Sequence, residues 1–179
     1  MSFSNKQKVF FLDRDGVVNI EKNYLYKIED FEFIDGVFET LRYLKKLDYK
    51  FIIVTNQSGI SRGYYSKDDF DRLTSWMLKK FEEHNIKIEA VLLCPHGPDD
   101  NCNCRKPKIG MIEQAKELFD IDLKNSWMVG DKGSDIQLAV NSKIGNTIQV
   151  MTGHIFDKEN SKADYVLESI KSIPDIVLK

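Results

Sequence analysis

Val9-Phe10-Phe11-Leu12-Asp13-Arg14-Asp15-Gly16-Val17 runs from four apolar residues directly into two carboxylates and a glycine. An apolar run with no polar alternation reads as a strand covered on both faces, the kind that builds parallel sheets. Side chains two residues apart can share a side, so Asp13 and Asp15 can address one ligand while Arg14 points away. Gly16 permits the sharp turn that follows. Working outward, Phe51-Ile52-Ile53-Val54 repeats the apolar run and ends on Thr55-Asn56, and Trp127-Met128-Val129 ends on Gly130-Asp131. Each polar group therefore falls at a strand's carboxyl end, the edge where open α/β sheets bind ligands.

Amphipathic segments separate these runs. Val37, Phe38, Leu41, Leu44 and Leu47 follow the helical period after Asp35-Gly36. Ser66-x-x-Asp69 resembles a capping box opening a helix to about Asn85, with Phe70, Leu73, Met77 and Phe81 on one face. Further strands are predicted at Ala90 to Leu93, Thr147 to Val150 and Tyr165 to Leu167, and helices at about 110–118 and 135–142; the segment Ile173 to Leu178 is ambiguous. The alternation predicts an α/β fold, a Rossmann-like, mostly parallel sheet with helices on both faces. At 179 residues, close to the ~150-residue prior for one domain, the chain reads as a single domain over 1–179.

Composition narrows the classes. With 42% hydrophobic and 30% charged residues, the chain is globular rather than disordered or fibrous. A net charge of −2 gives no global field drawing it to nucleic acid or an anionic membrane. No apolar run approaches the ~20 residues of a membrane span, and the N-terminal residues lack a secretory apolar core. The expectation is a cytoplasmic protein. Gly59 to Gly63 lacks the Lys-Ser/Thr of a nucleotide P-loop, which argues against an ATPase.

Paired carboxylates at a strand end suit phosphoryl transfer: one attacks phosphorus while the other protonates the leaving alkoxide and then takes a proton from water. Asp-x-Asp-Gly alone is equally a turn with solvated acids; the other strand ends shift the balance. Thr55 and Asn56 can donate to phosphoryl oxygens, and Lys106 can offset developing negative charge. Asp131 adds a third carboxylate that, with Asp13 and the Asp15 carbonyl, can surround a hard Mg²⁺. Asp135 reads as a helix N-cap, His154 as a loop residue, His84 as a surface residue, and Trp76, Met77 and Phe81 as core.

The three cysteines lie within eleven residues. Cys94-x-His96-x₅-Cys102-x-Cys104 is a poor disulfide framework but offers three thiolates and an imidazole to a closed, structural Zn²⁺ site. Arg105 and Lys106 follow the last ligand directly, so zinc would fix both cations.

Asp13-Arg14-Asp15-Gly16, Thr55-Asn56, Lys106 and Gly130-Asp131, in that order, resemble the four motifs of the haloacid dehalogenase phosphatase superfamily, over about residues 9 to 154. Within it, Thr55 to Gly63, Cys94-Pro95-His96, Cys102 to Pro107 and Val129 to Lys132 are similar to the branch that removes the 7-phosphate of D-glycero-D-manno-heptose 1,7-bisphosphate in nucleotide-heptose synthesis for surface polysaccharide such as lipopolysaccharide. Its near relative is the histidinol-phosphate phosphatase branch, which the short zinc loop favours and Ser58 to Gly63 disfavours. The resemblance implies Asp13 as nucleophile, Asp15 as acid/base, Asp131 as a Mg²⁺ ligand, Thr55 and Lys106 as phosphoryl stabilisers, and Arg105 as a substrate-recognition residue. By position Glu21, Lys22, Asn23, Tyr24, Asn56, Gln57, Ser58 and Lys132 should line the sugar and phosphate pocket.

The intervals between motifs leave no room for a cap domain, so a capless site walled by loops around 19–26, 57–65 and 94–104 is expected. The partner is then a small sugar phosphate, with no nucleic acid or membrane, and the chain a monomer. A competing reading, a zinc-ribbon module for nucleic acid, needs basic and aromatic residues on one face, and here they are dispersed.

Overall fold

The computed structural model describes residues 6–178, and the readings that rest on residues 1–5 and 179 lie outside them. Among the described residues, six strands form one sheet: β1 (Lys8–Leu12), β2 (Tyr49–Asn56), β3 (Ile88–Cys94), β4 (Trp127–Gly130), β5 (Asn146–Val150) and β6 (Tyr165–Leu167), in the order β3-β2-β1-β4-β5-β6. Every pairing between them is parallel. The chain builds outward from β1 to β3, then returns to pair β4 on the other edge of β1. That reversal is the switch point at which such sheets open a crevice, and it sets the ends of β1 and β4 side by side.

Four α-helices of the described residues cover the sheet: α1 (Val37–Lys46), α2 (Lys67–Glu83), α3 (Gly110–Leu118) and α4 (Gly133–Ser142). The strand pleat sorts the core. Phe10 and Leu12 of β1, with Phe51 and Ile53 of β2, pack against Leu41 and Leu44 of α1 and Leu73, Met77 and Phe81 of α2. Val9, Phe11, Ile52 and Val54 face the other way, toward Met111, Ile112 and Ala115 of α3 and Leu138 and Ala139 of α4. A strand buried on both faces needs an unbroken apolar run, which is why β1 and β2 carry one. The Ser66 hydroxyl accepts from the Asp69 N–H at 3.1 Å and the Asp69 carboxylate accepts from the Ser66 N–H at 2.9 Å, so the capping box at α2 is complete.

Residues 16–36 form no separate layer. They hold one short 3-10 turn at Ile28–Asp30 and isolated bridges from Asn19 to Asp15 and Phe33. Leu25, Phe31 and Ile34 sink into the same core as α1. Of the ambiguous segment Ile173 to Leu178, the first three residues end a 3-10 helix, Ile170–Asp175, whose Ile170 and Ile173 are buried. Trp76 is partly buried against the core, and His84 ends α2 with its ring stacked on Phe38 at 3.8 Å. Among the described residues no helix is long and apolar enough to cross a membrane.

Candidate active site

Hydrogen bonding carries β1 one residue past its end: the Asp13 N–H donates to the Val129 carbonyl at 3.0 Å, which fixes Asp13 beside the end of β4. Lys106 Nζ reaches Asp13 Oδ1 at 2.8 Å, Asp135 Oδ1 at 2.7 Å and the Val54 carbonyl at 2.9 Å. Asp13 and Lys106 are each 5% exposed. Burial pushes the Asp13 carboxyl up to about 6 despite the nearby Lys106 charge. Lys106 moves upward as well: its burial opposes the charge, but Asp13 and Asp135 outweigh it. Asn56 places this lysine, its Oδ1 accepting from the Lys106 N–H at 3.0 Å.

Asp15 is held differently. Its Oδ1 accepts from Arg14 at 3.0 Å and Asn19 at 2.9 Å, and its Oδ2 from Gln57 at 2.8 Å. Burial would raise its pKa, but the Arg14 charge and these hydrogen bonds prevail and hold it below the usual carboxylate value. Arg14 corrects the expectation that it points away. It is 1% exposed, with its guanidinium turned back onto Asp15, the Leu25 carbonyl and Gln57.

Asp131 lies fully buried behind Asp13. Its Oδ2 accepts from the His154 N–H at 2.8 Å, with His154 Nδ1 also 2.8 Å away. Its Oδ1 has no hydrogen-bond partner among the described residues. Burial, then the Asp13 charge, raises its pKa. An orphaned buried carboxylate oxygen beside a second raised carboxyl fits a hard divalent cation, and Mg²⁺ prefers such oxygens. Gly16, at φ +87°, makes the approach possible: a Cβ there would lie 2.7 Å from Asp131 Oδ2. Asp135 can also reach this group, but its Oδ1 is committed to Lys106 and its Oδ2 accepts from the Lys132 N–H at 3.1 Å. It is therefore not the N-cap of α4, which is Lys132, but a first-turn residue that anchors Lys106.

These groups open into a cavity of about 370 Å³. Of the expected lining residues, Glu21, Asn23, Tyr24, Asn56, Gln57, Ser58, Arg105 and Lys132 are on its wall with Asp13, Asp15 and Lys106. Lys22 and Thr55 are not. Lys22 pairs outward with Glu32 at 3.3 Å, and the buried Thr55 hydroxyl accepts from Gln57 at 2.8 Å. Arg62 and Tyr65, from the 57–65 loop expected to wall the site, also line the cavity, as do Ser134 and His154 from outside the expected loops. His154 lies in a loop, as expected, four residues past the end of β5, and that loop brings it to the cavity.

Cys94 Sγ, His96, Cys102 Sγ and Cys104 Sγ present ligand atoms within 4.8 Å of one another. Cys94 and Cys102 sulfurs are 3.8 Å apart, Cys94 and Cys104 2.8 Å, and His96 Nδ1 and Cys104 3.3 Å. Zn–S bonds of about 2.3 Å in a tetrahedron separate sulfurs by about 3.8 Å, so the cluster is close to the size of a zinc site, and its soft donors fit that metal. The loop itself does not wall the cavity, contrary to expectation. Instead it orients Arg105, whose guanidinium donates to the His96 carbonyl at 3.0 Å.

A family model described as polynucleotide kinase 3 phosphatase matches residues 8–171. The chain is 48% identical over 172 residues to a D-glycero-alpha-D-manno-heptose-1,7-bisphosphate 7-phosphatase of Campylobacter jejuni, with 96% of this chain and 95% of that one covered. It is 43% identical over 178 residues to a D-glycero-beta-D-manno-heptose-1,7-bisphosphate 7-phosphatase of Pasteurella multocida, covering 96% and 97%. The crystal structure of a D,D-heptose 1.7-bisphosphate phosphatase from B. bronchiseptica, complexed with magnesium and phosphate, superposes with a TM-score of 0.82 at 28% identity, covering 93% of this chain and 96% of that one. With motif order, sheet topology and full-length similarity in agreement, the chain belongs to the haloacid dehalogenase superfamily of phosphatases, in its heptose-1,7-bisphosphate 7-phosphatase branch.

Proposed function

We propose that this chain hydrolyses the C7 phosphate of D-glycero-D-manno-heptose 1,7-bisphosphate through an aspartyl phosphate on Asp13, as a single domain and a monomer. The observation that carries the reading is the Asp13–Lys106 pair at the floor of a cavity whose rim bears Arg62, Arg105 and Lys132. Lys106 engages Asp13 Oδ1, so the other carboxylate oxygen attacks phosphorus. As the Asp13–phosphorus bond forms, the phosphorus–O7 bond breaks and O7 takes the proton of Asp15. Asp15 then removes a proton from water, whose oxygen attacks phosphorus and releases Asp13 and inorganic phosphate. The charge of the arriving phosphoryl group favours the protonated form of Asp15 in the first step; Arg14 and Gln57 favour the ionised form that serves as base in the second. Asp13, Asp131 and the Asp15 carbonyl would hold Mg²⁺, which supplies positive charge to the phosphoryl oxygens. Cys94, His96, Cys102 and Cys104 would hold a structural Zn²⁺, in a cytoplasm reducing enough to keep the three cysteines from forming disulfides.

The rim supports a second phosphate better than a cation. A bisphosphate meets Arg62, Arg105 and Lys132 with opposite charge, whereas the ammonium of histidinol phosphate meets them with like charge. Phosphate release should be assayed with both anomers of the heptose bisphosphate, histidinol phosphate and a 3-phosphorylated oligonucleotide, the last because of the family model's description. The expected outcome is the highest kcat/KM on a heptose bisphosphate, with heptose 1-phosphate as product. Equal or better efficiency on either other ester overturns the substrate and leaves the phosphatase chemistry standing.

A further inference from the structure

Gln57 touches Asp15 with its amide nitrogen, and a primary amide can present either end. Here the end is fixed from behind. Gln57 Nε2 donates to Asp15 Oδ2 and to Thr55 Oγ1, each at 2.8 Å. Gln57 Oε1 accepts from the Tyr65 hydroxyl and, at 3.4 Å, from Arg14. A flipped amide would set its NH₂ against the Arg14 donor and its oxygen against the Asp15 carboxylate, losing two hydrogen bonds and adding a repulsion. Arg14, which can only donate, and the Asp15 carboxylate, which only accepts, set which way the amide faces; the Tyr65 hydroxyl, in the closest contact with Oε1, sets where the amide sits.

The tyrosine is itself locked. It is 6% exposed, its ring stacks on Tyr26 at 5.2 Å and 13°, and the backbone of Gly59 closes the opposite edge, where an added Cβ would collide with the ring. Burial pushes its hydroxyl up to about 12, so it stays a neutral hydroxyl at any working pH and keeps its contact with Gln57 Oε1.

We infer that Tyr65 is a positioning residue that, by fixing the amide of Gln57, aims the Asp15 carboxyl at the leaving oxygen. This rests on the reading of Asp15 as the proton donor. An alkyl phosphate needs that proton as its oxygen departs; the phenolate of para-nitrophenyl phosphate leaves without it. The two esters therefore separate a misaimed acid from general damage. The ratio kcat/KM is the readout, because it reports the steps up to cleavage of the ester and excludes the shared hydrolysis of the aspartyl phosphate.

Tyr65→Phe should lose about tenfold or more in kcat/KM on the heptose bisphosphate and several-fold less on para-nitrophenyl phosphate, within the range that general acid catalysis supplies. Gly59→Ala, which displaces the ring while leaving the hydroxyl in the sequence, should show the same selective loss and carries the comparison if the phenylalanine variant melts well below wild type. Asp15→Asn is the reference. If it is selective for the alkyl ester while both Tyr65→Phe and Gly59→Ala lose equally on the two esters, or not at all, the role of Tyr65 is overturned and that of Asp15 stands. If Asp15→Asn itself loses equally on both, the reading of Asp15 and this inference fall together.

Discussion

The nucleophile is held at a cost that a single substitution should reveal. Burial pushes the Asp13 carboxyl from an ordinary 3.8 to about 6, against the help of Lys106. A carboxyl whose pKa is raised by folding binds its proton more tightly in the native state. Its stabilising contribution is thus fully present below about pH 3.8 and is lost as the pH climbs through about 6. At about 1.4 kcal/mol for each tenfold change, the ionised form costs the metal-free protein up to about 3 kcal/mol near neutrality. Asparagine keeps the shape of the neutral acid and carries no charge. Asp13→Asn should therefore abolish turnover and yet raise Tm by up to roughly 6–12 °C in buffer without added divalent cation near pH 7.5, at about 2–4 °C per kcal/mol for a chain of this size. The gain should shrink toward nothing near pH 4, below which both forms are neutral at this position. Added Mg²⁺ should stabilise the wild type more than the variant, because only the wild type presents the full carboxylate set. Thermal melts across pH with phosphate release in parallel decide it. A variant that melts at or below the wild-type temperature near pH 7.5, or whose gain does not vary with pH, refutes the reasoning.

Purified protein should carry tightly held zinc and separately need added Mg²⁺, and Cys102→Ser or Cys104→Ser should lose the zinc and with it the placement of Arg105; full activity in both without zinc, by metal analysis, removes the loop's proposed role. Arg105→Ala should lose more activity on the bisphosphate than on a small generic ester, whereas Lys106→Ala should damage both; kcat/KM on the two substrates checks this, and equal effects from Arg105→Ala argue against its contact with the distal part of the substrate. Arg14→Met strips the guanidinium from the partly buried Asp15 and should cost about 3–5 kcal/mol in urea unfolding. A loss under about 1 kcal/mol would show that Asp15 does not depend on it.

The architecture was legible because buried parallel strands require unbroken apolar runs, and because ligands gather at their carboxyl ends. The side chains were less so wherever a simple periodicity stopped applying. Strand alternation turns Arg14 away from the site, but β1 ends at Leu12 and the chain is already turning, so the arginine folds back onto Asp15. Asp135 looks like a cap because the helical pattern begins at about that residue; only the three-dimensional approach of Lys106, from the loop that precedes α3, makes it an electrostatic anchor. Tyr65 and Arg62 are legible only as members of the 57–65 loop that walls the site; which of its side chains face the cavity depends on how that loop curls over the sheet edge.

The strand order also sets a timetable for synthesis. β1 lies in the middle of the sheet, yet its partner on one side, β4, is made over about a hundred residues later, so Trp127 reaches Phe10 only when most of the chain exists. At about 5–20 residues per second, β1, β2 and β3 precede β4 by several seconds, and for that interval β1 is an open sheet edge carrying Val9 to Leu12. An unpaired apolar edge is a template for pairing with other chains. A nascent or truncated chain that stops short of Trp127 therefore lacks Asp131 and also keeps its most apolar strand uncovered, so its characteristic failure is aggregation rather than a soluble, inactive fragment.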